Sequence, residues 1–313
     1  KPNGGVDGNN SNDTISEIIL GCDSALSGIY RVGASGRAHF VDLNAVVEAL
    51  EYCGIAGPTV FEMESGIYEP MKFSSVIPGI SDTNTITFIS VAKDAEAVVI
   101  GESTATALSL MNARHIHFKY LTFGSATHSA NLCAVKMTGY IEDVEFYHCN
   151  LYANTSTTNS SSRVVDYPNS TSATNYLKDV RFIGNEVRGG YYGFYLYYAG
   201  GNAANCKPDA VNRASVRMDS NRIYDQYYYP VYSYYYTHIE SFSHNLIESR
   251  TGSNYNYGAY FYYYNLIDSV VGNKIHNNAN YAYSGLRFYY YINVTNTFGS
   301  DVEPVLAANN EII

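Results

Sequence analysis

Four segments of this chain repeat one another in register: VRFIGNEVRG, VRMDSNRIYD, ESFSHNLIES and DSVVGNKIHN. Aligned on Asn185, Asn221, Asn245 and Asn273, they carry Phe182, Met218, Phe242 and Val270 three residues before the Asn, and Val187, Ile223, Ile247 and Ile275 two residues after it. Self-similarity at a period of roughly 20–50 residues marks a stack of units, each burying its apolar face against the next. The flanking positions hold Glu186, Arg188, Arg222, Tyr224, Leu246, Glu248, Lys274 and His276, mostly polar, which is the in/out alternation of short strands with one buried face. The Asn falls at the bend between two such strands, where its backbone tolerates left-handed angles and its amide can stack on the Asn of the next coil.

The intervals between these Asn residues are 36, 24 and 28. Stacking therefore holds the strands constant while the loops vary in length. Upstream, DVEFYHCNLYA matches DVRFIGNEVRG from Asp143 and Asp179, which puts Cys149 at the ladder position as a packed turn residue; AANNEII begins another unit around Asn310. The pattern predicts an all-β chain, a right-handed parallel β-helix occupying residues 26–313 as one domain after a flexible segment 1–25. The Ser/Thr/Asn-rich stretch 154–175 reads as a solvated surface loop. In DLNAVVEALEYCG, Leu43, Val46, Val47 and Leu50 share one helical face, with Asp42 as N-cap and Gly54 after the last turn. This helix, about 42–53, is expected to cover the open end of the first coil, whose strand edge would otherwise pair with other chains. No matching cap is visible at Ile313, so the chain reads as part of something longer.

Charge and cysteine usage narrow the function classes. Nineteen Lys+Arg against 29 Asp+Glu give a net charge of -10, so nucleic acid is not an expected partner, and polyuronates would be repelled on average unless a local basic patch intervenes. No apolar run approaches the roughly 20 residues needed to cross a bilayer, so membrane insertion is not expected. Five cysteines without metal-ligand spacing leave at least one thiol unpaired and imply no metal or other cofactor. The polar opening KPNGGVDGNNSNDT holds no charged-then-apolar leader. Abundant Asn, Ser, Thr and Tyr with few Lys and Glu fits a secreted or cell-surface protein.

The stretch 26–123 strings together LSGIYRV, the helix, GPTVFEM, SGIYEP and IPGISDTNTITFIS. In order and spacing it resembles the opening of pectin-lyase-like β-helix domains in large secreted bacterial surface proteins. The resemblance implies fold and secretion, not one reaction. The first strands are also similar to those of pectin methylesterases, but the Q-D-T-L-like strand and G-R-P-W segment of that family are absent, and the chain contains no Trp. No esterase catalytic residue is carried over.

Tyrosine placement is the second strong signal. Of 33 tyrosines, 24 follow residue 190, and they recur once per coil in GFYLYY, PVYSYYY, GAYFYYY and GLRFYYY. Phe194/Val231/Ala259/Leu286 and Leu196/Ser233/Phe261/Phe288 alternate with them and should point inward. The outward columns are then Tyr195/Tyr232/Tyr260 ending at Arg287, Tyr197/Tyr234/Tyr262/Tyr289, and Tyr236/Tyr264/Tyr291, while Tyr198, Tyr235, Tyr263 and Tyr290 have inward parity and are assigned to the strand-end core. Coils about 4.8 Å apart and alternate residues about 6.7 Å apart would spread the outward rings into a nearly flat grid. Such a grid suits sugar rings with their C–H faces and rim hydroxyls. The alternative is that ring-on-ring stacking only stabilises the outer sheet or packs under a loop around Tyr255 and Tyr257.

Catalytic candidates are weaker. Asp225, Glu248, Arg188 and Arg250 scatter over different turn offsets and read as salt-bridged coil edges, and His115 and His117 read as a solvent-facing pair lacking a third metal ligand. No catalytic residue is assigned. The expected function is a secreted or cell-surface binding or adhesion module that takes a glycan, a polysaccharide or another surface protein on its tyrosine face. The alternatives are a polysaccharide lyase or glycoside hydrolase using the same face, and a structural stalk.

Overall fold

The computed structural model describes residues 24–251, 256–276, 282–298 and 301–313. Within these, 27 strands form three all-parallel sheets of ten, nine and eight strands. One coil illustrates the rest: Ile141–Tyr147 in the first sheet, Asn150–Tyr152 in the second, Arg163–Pro168 in the third, then Leu177–Ile183 directly beside the starting strand. The fold is an all-β parallel β-helix. The expected flexible segment lies almost wholly outside the described residues.

Inward residues from successive coils stack along the axis. Phe61, Phe88, Phe118, Phe146 and Phe182 form one column with ring centres 5.0, 5.5, 5.1 and 5.1 Å apart, all fully buried. Each such side chain contributes roughly 1.5–3 kcal/mol by leaving water.

The Asn ladder forms as expected. Asn185 donates its backbone N–H and its side-chain Nδ2–H to Asn221 Oδ1 at 2.9 and 3.0 Å, and the same pair of bonds links Asn221 to Asn245, Asn245 to Asn273 and Asn273 to Asn310. Cys149 begins the ladder by donating its N–H to Asn185 Oδ1 at 2.8 Å, and burial pushes its thiol up to about 12, so it is a packed turn residue without thiolate character. The left-handed backbone sits one residue earlier than expected, at Gly184, Ser220, His244, Gly272 and Asn309. A Cβ on Gly184 would also approach the His148 ring to 2.8 Å. The bend is therefore made by the residue before the Asn, which leaves the Asn extended and free to bridge coils.

The capping helix spans Leu43–Cys53, with Asp42 accepting the Ala45 N–H at 2.8 Å and the Gly54 N–H closing on Leu50 O. Its buried Leu43, Val46 and Leu50 pack toward the Met71–Phe73 strand at the edge of the third sheet. Cys53, at its end, is disulfide-bonded.

One boundary requires correction. The stretch 154–175 is not one surface loop: Arg163–Pro168 is a third-sheet strand inside it, with Val164, Val165, Asp166 and Tyr167 buried. Polar runs on both sides mask an RVVDYP segment too short to show its own periodicity.

Candidate functional site

The tyrosine columns fall in the register expected from the repeats. Tyr195 pairs with Tyr232, Tyr232 with Tyr260 and Tyr260 with Arg287; beside them Tyr197, Tyr234, Tyr262 and Tyr289 align. Tyr236, Tyr264 and Tyr291 stack in a third column at 5.4 and 4.7 Å. The first two columns lie on third-sheet strands and alternate with buried residues, whereas Tyr236, Tyr264 and Tyr291 follow the ends of those strands with left-handed backbones, and Tyr236 and Tyr264 pack against a second apolar cluster that includes Tyr176, Cys206 and Leu266.

Two features of the wall differ from the sequence expectation. Tyr198, Tyr235, Tyr263 and Tyr290 are not core. Each takes a left-handed backbone at the strand end, φ between 52 and 57°, which breaks the strand alternation and turns the side chain outward. They form a fourth column with ring centres 4.9, 5.2 and 4.9 Å apart. A further column, Tyr192, Tyr229 and Tyr257, stacks at 5.7 and 5.1 Å at the start of the same strands. Tyr255 lies outside the described residues.

The rings also do not lie flat. Tyr197, Tyr234 and Tyr262 have centres 5.0 and 4.9 Å apart with planes 30 and 26° from parallel. Coplanar rings side by side cannot come so close without their C–H edges colliding, so these rings overlap face to face and stand on edge. The coil spacing imposes this. Ring faces are largely occupied by one another, and what the wall offers to a ligand is ring edges and phenol hydroxyls. Rings of adjacent columns also approach each other once per coil, Tyr234 and Tyr235 at 4.3 Å, Tyr262 and Tyr263 at 4.4 Å and Tyr289 and Tyr290 at 4.1 Å between centres. Burial pushes the phenols of Tyr192 and Tyr260 up to about 12 and also raises Tyr195, Tyr197, Tyr232 and Tyr236, so the wall is neutral and hydrogen-bonding at any physiological pH.

Charged residues frame the wall. The central column continues upstream as Lys72, Ser109, Lys136 and Asp166 before Tyr195. The Arg163 guanidinium lies 3.7 Å from the Tyr195 ring centre and bonds Asp166 at 2.9 Å. At the far end Arg287 lies 4.9 and 4.5 Å over Tyr260 and Tyr289, which helps bury Tyr260 to 7% exposure. Asp166 is the one acidic residue in any third-sheet strand. Among the described residues Lys72, Lys136 and Arg287 form no direct ion pair, although Asp166 is the neighbour of Lys136 in register and feels its charge. The tyrosines stand out as runs along the chain, whereas a basic track whose members are separated by tens of residues shows only when the coils are in register.

The other charged candidates are edge pairs. Arg188 binds Asp225 and Arg222 binds Glu248, both at 2.8 Å, and Arg250 donates to Thr157 O at 3.3 Å. His115 and His117 are not a solvated pair: they clamp Asp143 at 2.9 and 3.3 Å, and Arg181 joins at 2.6 Å. A left-handed residue at His115, Asp143 and Asp179 breaks each strand and brings these side chains onto one face. No His/Cys/Asp/Glu group among the described residues could hold a metal ion. Burial would raise the Asp143 carboxyl, but hydrogen bonds from His117, His115 and Arg181 outweigh it and hold the group well below the usual carboxylate range. Its folded pKa is depressed, so its contribution to stability is complete above the ordinary value of about 3.9 and is lost as pH falls below it. The Tm difference between the wild type and Asp143→Asn should shrink as pH falls below about 4; a difference unchanged into strong acid would exclude this linkage.

No family model matches the sequence, and no curated protein matches it. Solved structures show the fold. The chain is similar to pectate lyase Pel9A, with a TM-score of 0.50, 9% identity, and coverage of 93% of this chain and 78% of that one. A GH136 lacto-N-biosidase from Eubacterium ramulus also aligns, with a TM-score of 0.35, 10% identity, and coverage of 91% and 67%. The likeness to the pectate lyase shows the fold alone, a parallel β-helix. No helix among the described residues is long and apolar enough to cross a membrane.

Proposed function

We propose that this protein is a secreted or cell-surface binding module whose third-sheet outer face takes a polysaccharide, and that the polysaccharide is acidic. The observation that carries this reading is the makeup of that face: rows of neutral phenol hydroxyls in line with Lys72, Lys136 and Arg287, on a chain whose net charge is -10. It is the local basic patch without which polyuronates would be repelled. Phenol O–H groups donate to sugar hydroxyls and carboxylates, and the unpaired cations supply attraction that the rest of the surface opposes. The disulfide at Cys53 fits an oxidising compartment, and the structural neighbour Pel9A is by name a lyase of pectate.

Polygalacturonate pull-down compared with an uncharged galactan tests the reading. Binding should favour the acidic polymer, weaken with salt, and fall about tenfold or more in Lys136→Gln/Arg287→Gln. Equal retention of both polymers would overturn it.

One observation favours an enzyme instead. At the head of the wall, burial raises the Asp166 carboxyl against the opposing pull of Arg163 and Lys136, an arrangement able to exchange protons beside a bound chain. Unsaturated or reducing products from a retained polymer, abolished in Lys136→Gln or Asp166→Asn, would move the assignment to catalysis.

A further inference from the structure

The described residues include three arginines with a buried Nε that has no hydrogen-bond partner: Arg114, Arg163 and Arg213. Arg163 has Asp166 and Arg213 has Asp268 as counter-ions; Arg114 has none among the described residues. Its register neighbour across the first sheet is Glu142, but that carboxylate is taken by Lys178 from the following coil, at 2.7 Å. Arg114 is left with the face of Tyr140, 4.8 Å from guanidinium to ring centre. It lines an open cavity of about 410 Å³ together with Tyr140, Glu142, Thr174, Tyr176 and Asn212.

A guanidinium without a counter-ion, oriented on an aromatic face and partly removed from water, is arranged to receive an anion through its planar fork. Glu142 in the same lining disfavours a dianion. Tyr140 and Tyr176, 4.8 Å apart, give apolar contact to a ring, and Thr174 and Asn212 supply hydrogen-bonding groups to hydroxyls. We infer that this cleft, on a different sheet from the tyrosine wall, is a binding site for a small monocarboxylate carried on a hydroxylated ring, such as a single sugar acid. It does not depend on the wall binding anything.

Calorimetric titration of the whole chain with glucuronate, glucose and inorganic phosphate tests the assignment. Glucuronate should bind, glucose should not, and phosphate should bind more weakly than glucuronate. Arg114→Lys keeps the charge and loses the planar fork, so it should leave Tm unchanged and weaken glucuronate about tenfold or more; Arg114→Gln should abolish binding. Absence of glucuronate binding, phosphate binding as tight as glucuronate, or undiminished binding in a folded Arg114→Lys protein each overturns the site.

Discussion

Replacing Asn221 by Ala should destabilise the protein by about 2–4 kcal/mol. Asn221 Oδ1 accepts two bonds from Asn185, and its Nδ2 donates to Phe182 O at 2.9 Å and Asn245 Oδ1 at 3.0 Å. The Ala variant leaves the Asn185 N–H without a partner in a site that is 1% exposed and takes the amide bond from the Phe182 carbonyl, which keeps its place in the strand ladder beside Met218; a buried orphan costs about 1–3 kcal/mol and a lost bond about 1 kcal/mol. Asn185 Nδ2 keeps Phe146 O, and Asn245 Oδ1 keeps the backbone N–H of residue 221, so those two groups lose less. Asn310→Ala removes the same pair of bonds to Asn273, but at the partly exposed end of the ladder water can reach the freed groups, so it should cost less, about 1 kcal/mol. Chemical denaturation of the two variants provides the comparison. Equal effects at both positions would mean that the ladder is not the source of the stability assigned to it.

The second large effect separates ring from hydroxyl on the tyrosine wall. Tyr234, Tyr262 and Tyr289 changed together to Phe keep the stacks at 4.9 and 5.4 Å and lose three outward hydroxyls. Stability should change by no more than about 1–2 kcal/mol, whereas retention of an acidic polysaccharide should drop about tenfold or more if, as proposed, the hydroxyl edge is the surface a ligand meets. The triple Ala variant should lose binding and stability together, since it removes the face-to-face contacts at about 0.5–1.5 kcal/mol per pair beyond their burial. Full binding by the Phe variant would show that ring edges, not hydroxyls, make the contact, and full binding by the Ala variant would remove the wall from the site.

Much of the coil register is legible in the order of residues along the chain. The four aligned Asn, the Phe/Met/Val positions before them and the Val/Ile positions after them each recur once per coil, so aligning the repeats is the same operation as stacking the strands. For that reason the Tyr195, Tyr197 and Tyr236 columns appear in their expected partnerships. The strand Arg163–Pro168 is hidden because six residues between polar runs cannot display a period. The outward turn of the Tyr198 column is hidden because parity arguments assume an extended backbone, and a left-handed residue breaks that assumption.

The sequence by itself determined the solenoid, its Asn ladder, the capping helix and the side of the coil on which the tyrosines gather, since these follow from local alternation and from a repeat that maps onto a constant strand spacing. Only the tertiary structure decided how the rings stand, that Lys72 and Lys136 share the column that Tyr232 and Arg287 continue, and that Lys178 takes Glu142 away from Arg114. Each of these is a competition for partners across coils. Its outcome depends on the few ångströms between neighbouring coils and on loop lengths that bring distant residues into line, neither of which is written in any local pattern.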